Sequence, residues 1–192
     1  MGSFSSARAL TSGAQTRRFA TPFPTGAGAD GSDGGITTNI QKINGEIITT
    51  ILVDIEDLLC SGTVKDIIGE DGVAAAYIGR IITAKNGIVY KIEMACIEKP
   101  AGSNTSLDID LVSSSHSLAE DVVYDSGAGA HELSLIAAGG NWATGMRKMS
   151  AVGLNWANLP NDYLYLTNGS GANSGGTYTA GKFLIKLYGA NF

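Results

Sequence analysis

The residues able to carry chemistry are few. His116 and His131 stand in polar, glycine- and serine-rich segments, with no cysteine or carboxylate at ligand spacing. A Ser–His–Asp triad is a spatial arrangement and stays open on the sequence. Yet no serine occupies the G-x-S-x-G turn that presents a nucleophile. Cys60 and Cys96 are too few and too far apart for a disulfide framework or a metal knuckle. Cys96 lies in an alternating segment and reads as a buried free thiol. Asp108 and Asp110 share the outward face of a short alternating run, residues 107–111. They can join a metal site with a third carboxylate, form a solvated face, or meet a neighbour's arginine. Taken together, these residues predict no enzyme, no cofactor and no resident metal.

Other motif matches fail on context. Gly26-Ala-Gly28-Ala-Asp-Gly31 has the dinucleotide-binding spacing, but no strand precedes it and no helix follows to receive a pyrophosphate. Asp30-x-x-Asp33-Gly34 lacks the alternate oxygen ligands and closing glutamate of a calcium loop. Asn104-Thr-Ser106 and Asn168-Gly-Ser170 fit the glycosylation pattern without a secretory signal to give it effect. Trp142, Trp156, Tyr163 and Tyr165, near Asn155, Asn158, Asn161 and Asp162, supply the aromatic and amide groups of a carbohydrate site. The same tryptophans also suit core or interface anchors.

The elements that would position these groups are strands. Residues 36–43 and 46–55 flank Asn44-Gly45, a two-residue hairpin signal. The same dipeptide at Asn86-Gly87 predicts a second hairpin, between residues 72–85 and 88–100. In the latter strand Ile88, Tyr90, Ile92, Met94 and Cys96 fall on one face, and Val89, Lys91, Glu93 and Ala95 on the other. Residues 132–138 read equally as a strand or a helical turn. Residues 162–167 and 182–188 form a predicted last pair, joined by a glycine-rich loop. Seven to nine short strands indicate an all-β fold, a two-sheet antiparallel sandwich of jelly-roll type.

Composition bounds the surface. Charged residues are 16% of the chain, against about 25% in typical soluble domains, so much of the exterior must be small or uncharged and suits burial against neighbours. The net charge of −5 lacks the basic footprint of a nucleic-acid binder. No stretch reaches the roughly 20 apolar residues of a membrane helix, and the N-terminus lacks a signal peptide's apolar core. Neither nucleic acid nor membrane is an expected partner, and synthesis in a cytoplasm is.

Residues 1–35 read as an extended, flexible N-terminal arm and 36–192 as the sandwich domain. The arm is rich in Ser, Gly, Ala and Thr. It nonetheless carries Phe4, Leu10, Phe19 and Phe23, with Arg8, Arg17 and Arg18 between them. Such a tether either anchors its large side chains and arginines on a partner or is a passive tail.

The segments KDIIGEDGVAAAYIGRIITAKNGIVYKIEMACIEKPAG, LDIDL and NDYLYLTNG…GTYTAGKFLIKLYG resemble virion structural proteins of marine tailed bacteriophages, cyanophages included. The resemblance spans roughly residues 62–192. It rests on Asp66, Ile68, Gly69, Ile78, Asn86-Gly87, Cys96, Pro100, Asp110-Leu111, 163–166 and 178–183, and leaves out residues 1–35. It implies residence in the virion after synthesis in the host cytoplasm, with no catalytic motif to transfer. Among such roles a capsid decoration or cement protein fits an acidic β domain with an arm. Its partners would be the major capsid protein or other virion proteins, and its own copies as a dimer or trimer. A tail or head-fibre protein and a carbohydrate-binding module are the alternatives.

Overall fold

The computed structural model of the chain describes residues 23–26, 35–103, 105–124, 132–150, 159–169 and 174–190. Its strands, in chain order, are β1 (Gly35–Ile43), β2 (Glu46–Asp54), β3 (Leu59–Cys60), β4 (Gly79–Arg80), β5 (Ile88–Gly102), β6 (Ile109–Ser114), β7 (Glu132–Ile136), β8 (Arg147–Met149), β9 (Tyr163–Asn168) and β10 (Gly176–Ala190). One helical turn, α1 (Thr83–Asn86), precedes β5. The larger sheet runs β1-β2-β10-β5-β8, with β3 on the start of β10; the smaller runs β4-β9-β6-β7. The two antiparallel sheets pack face to face, the sandwich that the strand spacing predicts.

Asn44 and Gly45 take positive φ, 49° and 85°. A turn of this handedness matches the twist of the strands it joins, and it sets Ile43 opposite Glu46. From that register every second residue of β2 points inward, so Ile47, Thr49, Ile51 and Val53 are buried. Met94, Cys96, Phe183 and Ile185 continue this face on β5 and β10. Ile109, Leu111, Leu164 and Leu166 oppose them from the smaller sheet. Burial of each large apolar side chain contributes roughly 1.5–3 kcal/mol. Trp142 closes one end of the core. Its Nε1 donates to the Ile109 carbonyl at 2.7 Å and its ring meets Phe183 edge-on at 5.4 Å.

Three expectations change. Asn86-Gly87 is not a hairpin turn. Asn86 ends α1, where its Oδ1 accepts from Ile82 N at 2.7 Å and its Nδ2 donates to Thr49 at 2.8 Å. The chain then crosses from β4 in the smaller sheet to β5 in the larger. Likewise β9 and β10 do not pair with each other. β9 joins β4 and β6, while β10 joins β2, β3 and β5, so the glycine-rich loop between them passes from one sheet to the other. The alternation of β5 also breaks near its start. Tyr188 pairs with Lys91 but Gly189 with Val89, a bulge at Tyr90. The extra residue turns Val89 into the core and leaves Ile88 and Tyr90 exposed.

The N-terminal segment is corrected as well. Phe23 is buried in the chain's own core, its ring so close to Gly79 that a Cβ there would lie 2.0 Å from it. Residues 23–26 run beside β4, with Arg80 N donating to Pro24 O at 3.0 Å and Gly26 N to Tyr77 O at 2.9 Å. This part of the expected arm belongs to the body, and Phe23 is no anchor for a partner. The remaining arm residues singled out (Phe4, Arg8, Leu10, Arg17, Arg18 and Phe19) lie outside the described residues.

Two glycines with positive φ separate backbone strain from close approach. Gly45 has open space around it, so Gly45→Ala should cost only the left-handed strain, about 1–2 kcal/mol. At Gly87 (φ 68°) an added Cβ would also lie 2.4 Å from the Ala190 carbonyl oxygen. Urea unfolding should therefore show Gly87→Ala as clearly the more damaging. Equal losses would mean that β5 and β10 do not approach as closely as described.

Candidate functional site

On β6, Asp110 and Val112 point away from the core, beside Thr167 and Tyr165 of β9. The sequence puts this face outward and leaves it open as a metal site, a solvated face or a contact for a neighbour's arginine. Instead the segments around residues 66–77 and 118–124 cover much of it. Ile67, Ala76, Val112, Tyr124 and Tyr165 form a second apolar cluster against them. Asn168 holds this cover down. Its Nδ2 donates to the Ser61 and Thr63 carbonyls at 3.1 and 2.6 Å. Its Oδ1 accepts from Asp66 N, and its own N–H and C=O bond to Asp66 and Lys65. Buried and fully engaged, Asn168 is a structural clamp and not an exposed glycosylation acceptor. Asn104 lies outside the described residues.

Where the cover stops, a cleft of about 280 Å³ opens, lined by Lys65, Asp108, Asp110, Tyr124, Ser134 and Thr167 among others. Both aspartates are fixed by main-chain donors. Ala138 N donates to Asp110 Oδ1 at 2.6 Å and Gly140 N to Asp108 Oδ1 at 3.1 Å. Asp108 is only 6% exposed and Asp110 half-buried, so neither belongs to a solvated face. Burial raises the Asp110 carboxyl, Ala138 N–H opposes this, and the Asp108 charge adds to it. Among the described residues no group of three or more His, Cys, Asp or Glu is placed to hold a metal.

Next to the cleft, Asp66 is 1% exposed, and neither of its carboxylate oxygens makes a well-formed hydrogen bond. Burial raises this carboxyl, Ser61 opposes the change, and neighbouring Asp121 reinforces it; the result is about 6. Glu93 has the opposite fate at the centre of the larger sheet's outer face. Its burial alone would raise it. Donation from Lys91, Tyr188 and Arg147 outweighs that and holds it at about 2.

The remaining residues singled out in the sequence scatter. His116 is exposed in a loop, its Nδ1 3.0 Å from Ser115 Oγ; His131 lies outside the described residues. Both cysteines are buried free thiols, and burial with Glu98 nearby pushes the Cys96 thiol up. Trp142 and Tyr165 are core groups, and Tyr165 OH bonds to the backbone of His116 and Leu118. Tyr163 stacks edge-on with Tyr77 at 4.8 Å beneath the Arg80 guanidinium. Trp156, Asn155 and Asn158 lie outside the described residues. The aromatic platform read from the sequence is therefore not assembled by the groups that are placed. Lys65, Ser134 and Thr167 gave no signal as a group, because only the fold brings them together at the cleft. Comparison with family models, curated proteins and solved structures finds no match for the chain.

The Asp66 environment makes stability depend on pH. A carboxyl raised in the fold favours folding below its unfolded value near 4 and loses that contribution as pH rises through about 6. Asp66→Asn should therefore stabilise the protein at pH 8 by about 1–3 kcal/mol, with the gain vanishing at pH 4. Thermal unfolding at the two pH values checks this. A gain of the same size at both would contradict it.

Proposed function

We propose that the chain is a structural component of a bacteriophage particle, a decoration or cement protein bound to the outside of the capsid. One observation supports this reading most. The larger sheet has no layer over its outer face among the described residues, and that face is poor in unpaired charge. Leu52, Ile97 and Met149 are exposed on it. Between them lie charges already neutralised within the chain: Glu93 with Lys91 and Arg147, and Lys182 with Asp54 and Glu98 at 3.0 and 3.1 Å. Such a face gives up little hydration when it meets a second flat surface, and its apolar groups gain from the contact.

The partner in this reading is the major capsid protein or another virion protein, with a dimer or trimer of this chain as the bound unit. Phe4, Leu10 and Phe19, with Arg8, Arg17 and Arg18, supply further contacts from residues 1–22. Repetition over a shell turns modest contacts into lasting attachment. A tail or head-fibre location is the second reading; hundreds of copies per particle favour decoration and a few dozen favour the tail.

Two variants test the attachment. Deleting residues 1–22 spares the packed residues 23–26. Leu52→Asp combined with Ile97→Asp alters only exposed positions of the open face. Both should stay folded by circular dichroism and sediment with particles at least tenfold less than the unaltered chain. Unchanged retention of both would remove the arm and this face from the attachment.

A further inference from the structure

We infer that the cleft between the 138–140 turn and the Lys65 loop binds a single neutral sugar residue, with Asp108 and Asp110 accepting hydrogen bonds from two of its hydroxyls. This goes beyond the structural role and does not depend on it. Asp108 and Asp110 each spend one oxygen on a main-chain N–H of the 138–140 turn. The other oxygen of each makes no hydrogen bond among the described residues. Asp108 is more than nine-tenths buried, yet it lines the cleft. Its carboxylate lies so close to Gly169 that a Cβ there would be 2.3 Å from Oδ2. A side chain in place of Gly169 would displace the carboxylate, so the local backbone fixes where it sits.

The charges around the cleft select the class of ligand. Two carboxylates repel an anion. A calcium ion takes six to eight oxygen ligands, whereas here two carboxylates share the space with the Lys65 side chain, and Lys148 also acts on Asp110. A neutral polyol meets none of these objections. Its hydroxyls donate to the carboxylates and accept from Ser134 and Thr167, while Val112 and Tyr124 offer an apolar wall to its C–H face. At about 280 Å³ the cleft lies just under the usual range for small-molecule sites, which fits one sugar ring and no longer chain.

The test uses the full-length chain and a panel of methyl glycosides of glucose, galactose, mannose and N-acetylglucosamine at millimolar concentration. In heteronuclear NMR at least one should shift the amides of Ala138, Gly140, Ser134 and Thr167 in a saturable manner. Asp110→Asn should weaken that binding at least tenfold. Should that variant unfold, Ser134→Trp, at an exposed position, fills the mouth of the cleft and should abolish the shifts without lowering the melting temperature. The inference falls if no glycoside shifts these amides, if the shifts lie elsewhere, or if Ser134→Trp binds as before. It falls equally if calcium alone moves them and no glycoside does.

Discussion

The pairing of β10 on both sides is the interaction on which the rest depends. This strand lies between β2 and β5 over most of its length and takes β3 at its start. Ile51, Met94 and Ile185 form one inward row across three strands in consequence, as do Val53, Cys96 and Phe183. Close backbone approach is part of this arrangement. A Cβ at Gly189 would lie 1.8 Å from the Asn86 carbonyl oxygen, and one at Gly181 would lie 2.8 Å from Ile55. With β10 in place, α1 is pressed onto β2 through Asn86 and Thr49. Among the described residues, loops cover the outer face of the smaller sheet and not that of the larger.

That asymmetry organises the account of function. The smaller sheet is roofed by segments clamped through Asn168, and the edge of the roof forms a polar cleft. Among the described residues the larger sheet stays open, and Glu93, Lys91, Arg147, Lys182, Asp54 and Glu98 on it are closed in local pairs. An open face suits a broad, fixed partner. A small cleft with oriented carboxylates suits a small ligand. The open face and the cleft lie on opposite layers of the sandwich.

Local turn chemistry and period-two alternation made β1, β2 and β10 legible in the sequence. Asn44-Gly45 takes the backbone conformation its composition favours, and Phe183, Ile185 and Leu187 alternate without interruption. Asn86-Gly87 carries the same letters but not the same turn, because Asn86 is committed to Ile82 and to distant Thr49. Nothing in the neighbouring residues encodes that second partner. The bulge at Tyr90 was hidden in the same way, since a count of apolar positions assumes an unbroken register. Asp108 and Asp110 do leave the sheet on its outer side, as alternation requires. What covers them comes from residues far away in the chain. Phe23 sat in a polar stretch, and only the bare backbone of Gly79 gives its ring a place.

Electron cryomicroscopy of the assembled particle tests the central claim most directly. The account predicts a two-sheet β density outside the capsid shell, repeated at symmetry-related positions, with the outer face of the larger sheet turned toward its neighbours and the cleft of the smaller sheet facing solvent. Density for the chain confined to the tail, or a shell contact made through the cleft while the larger sheet faces solvent, would contradict it.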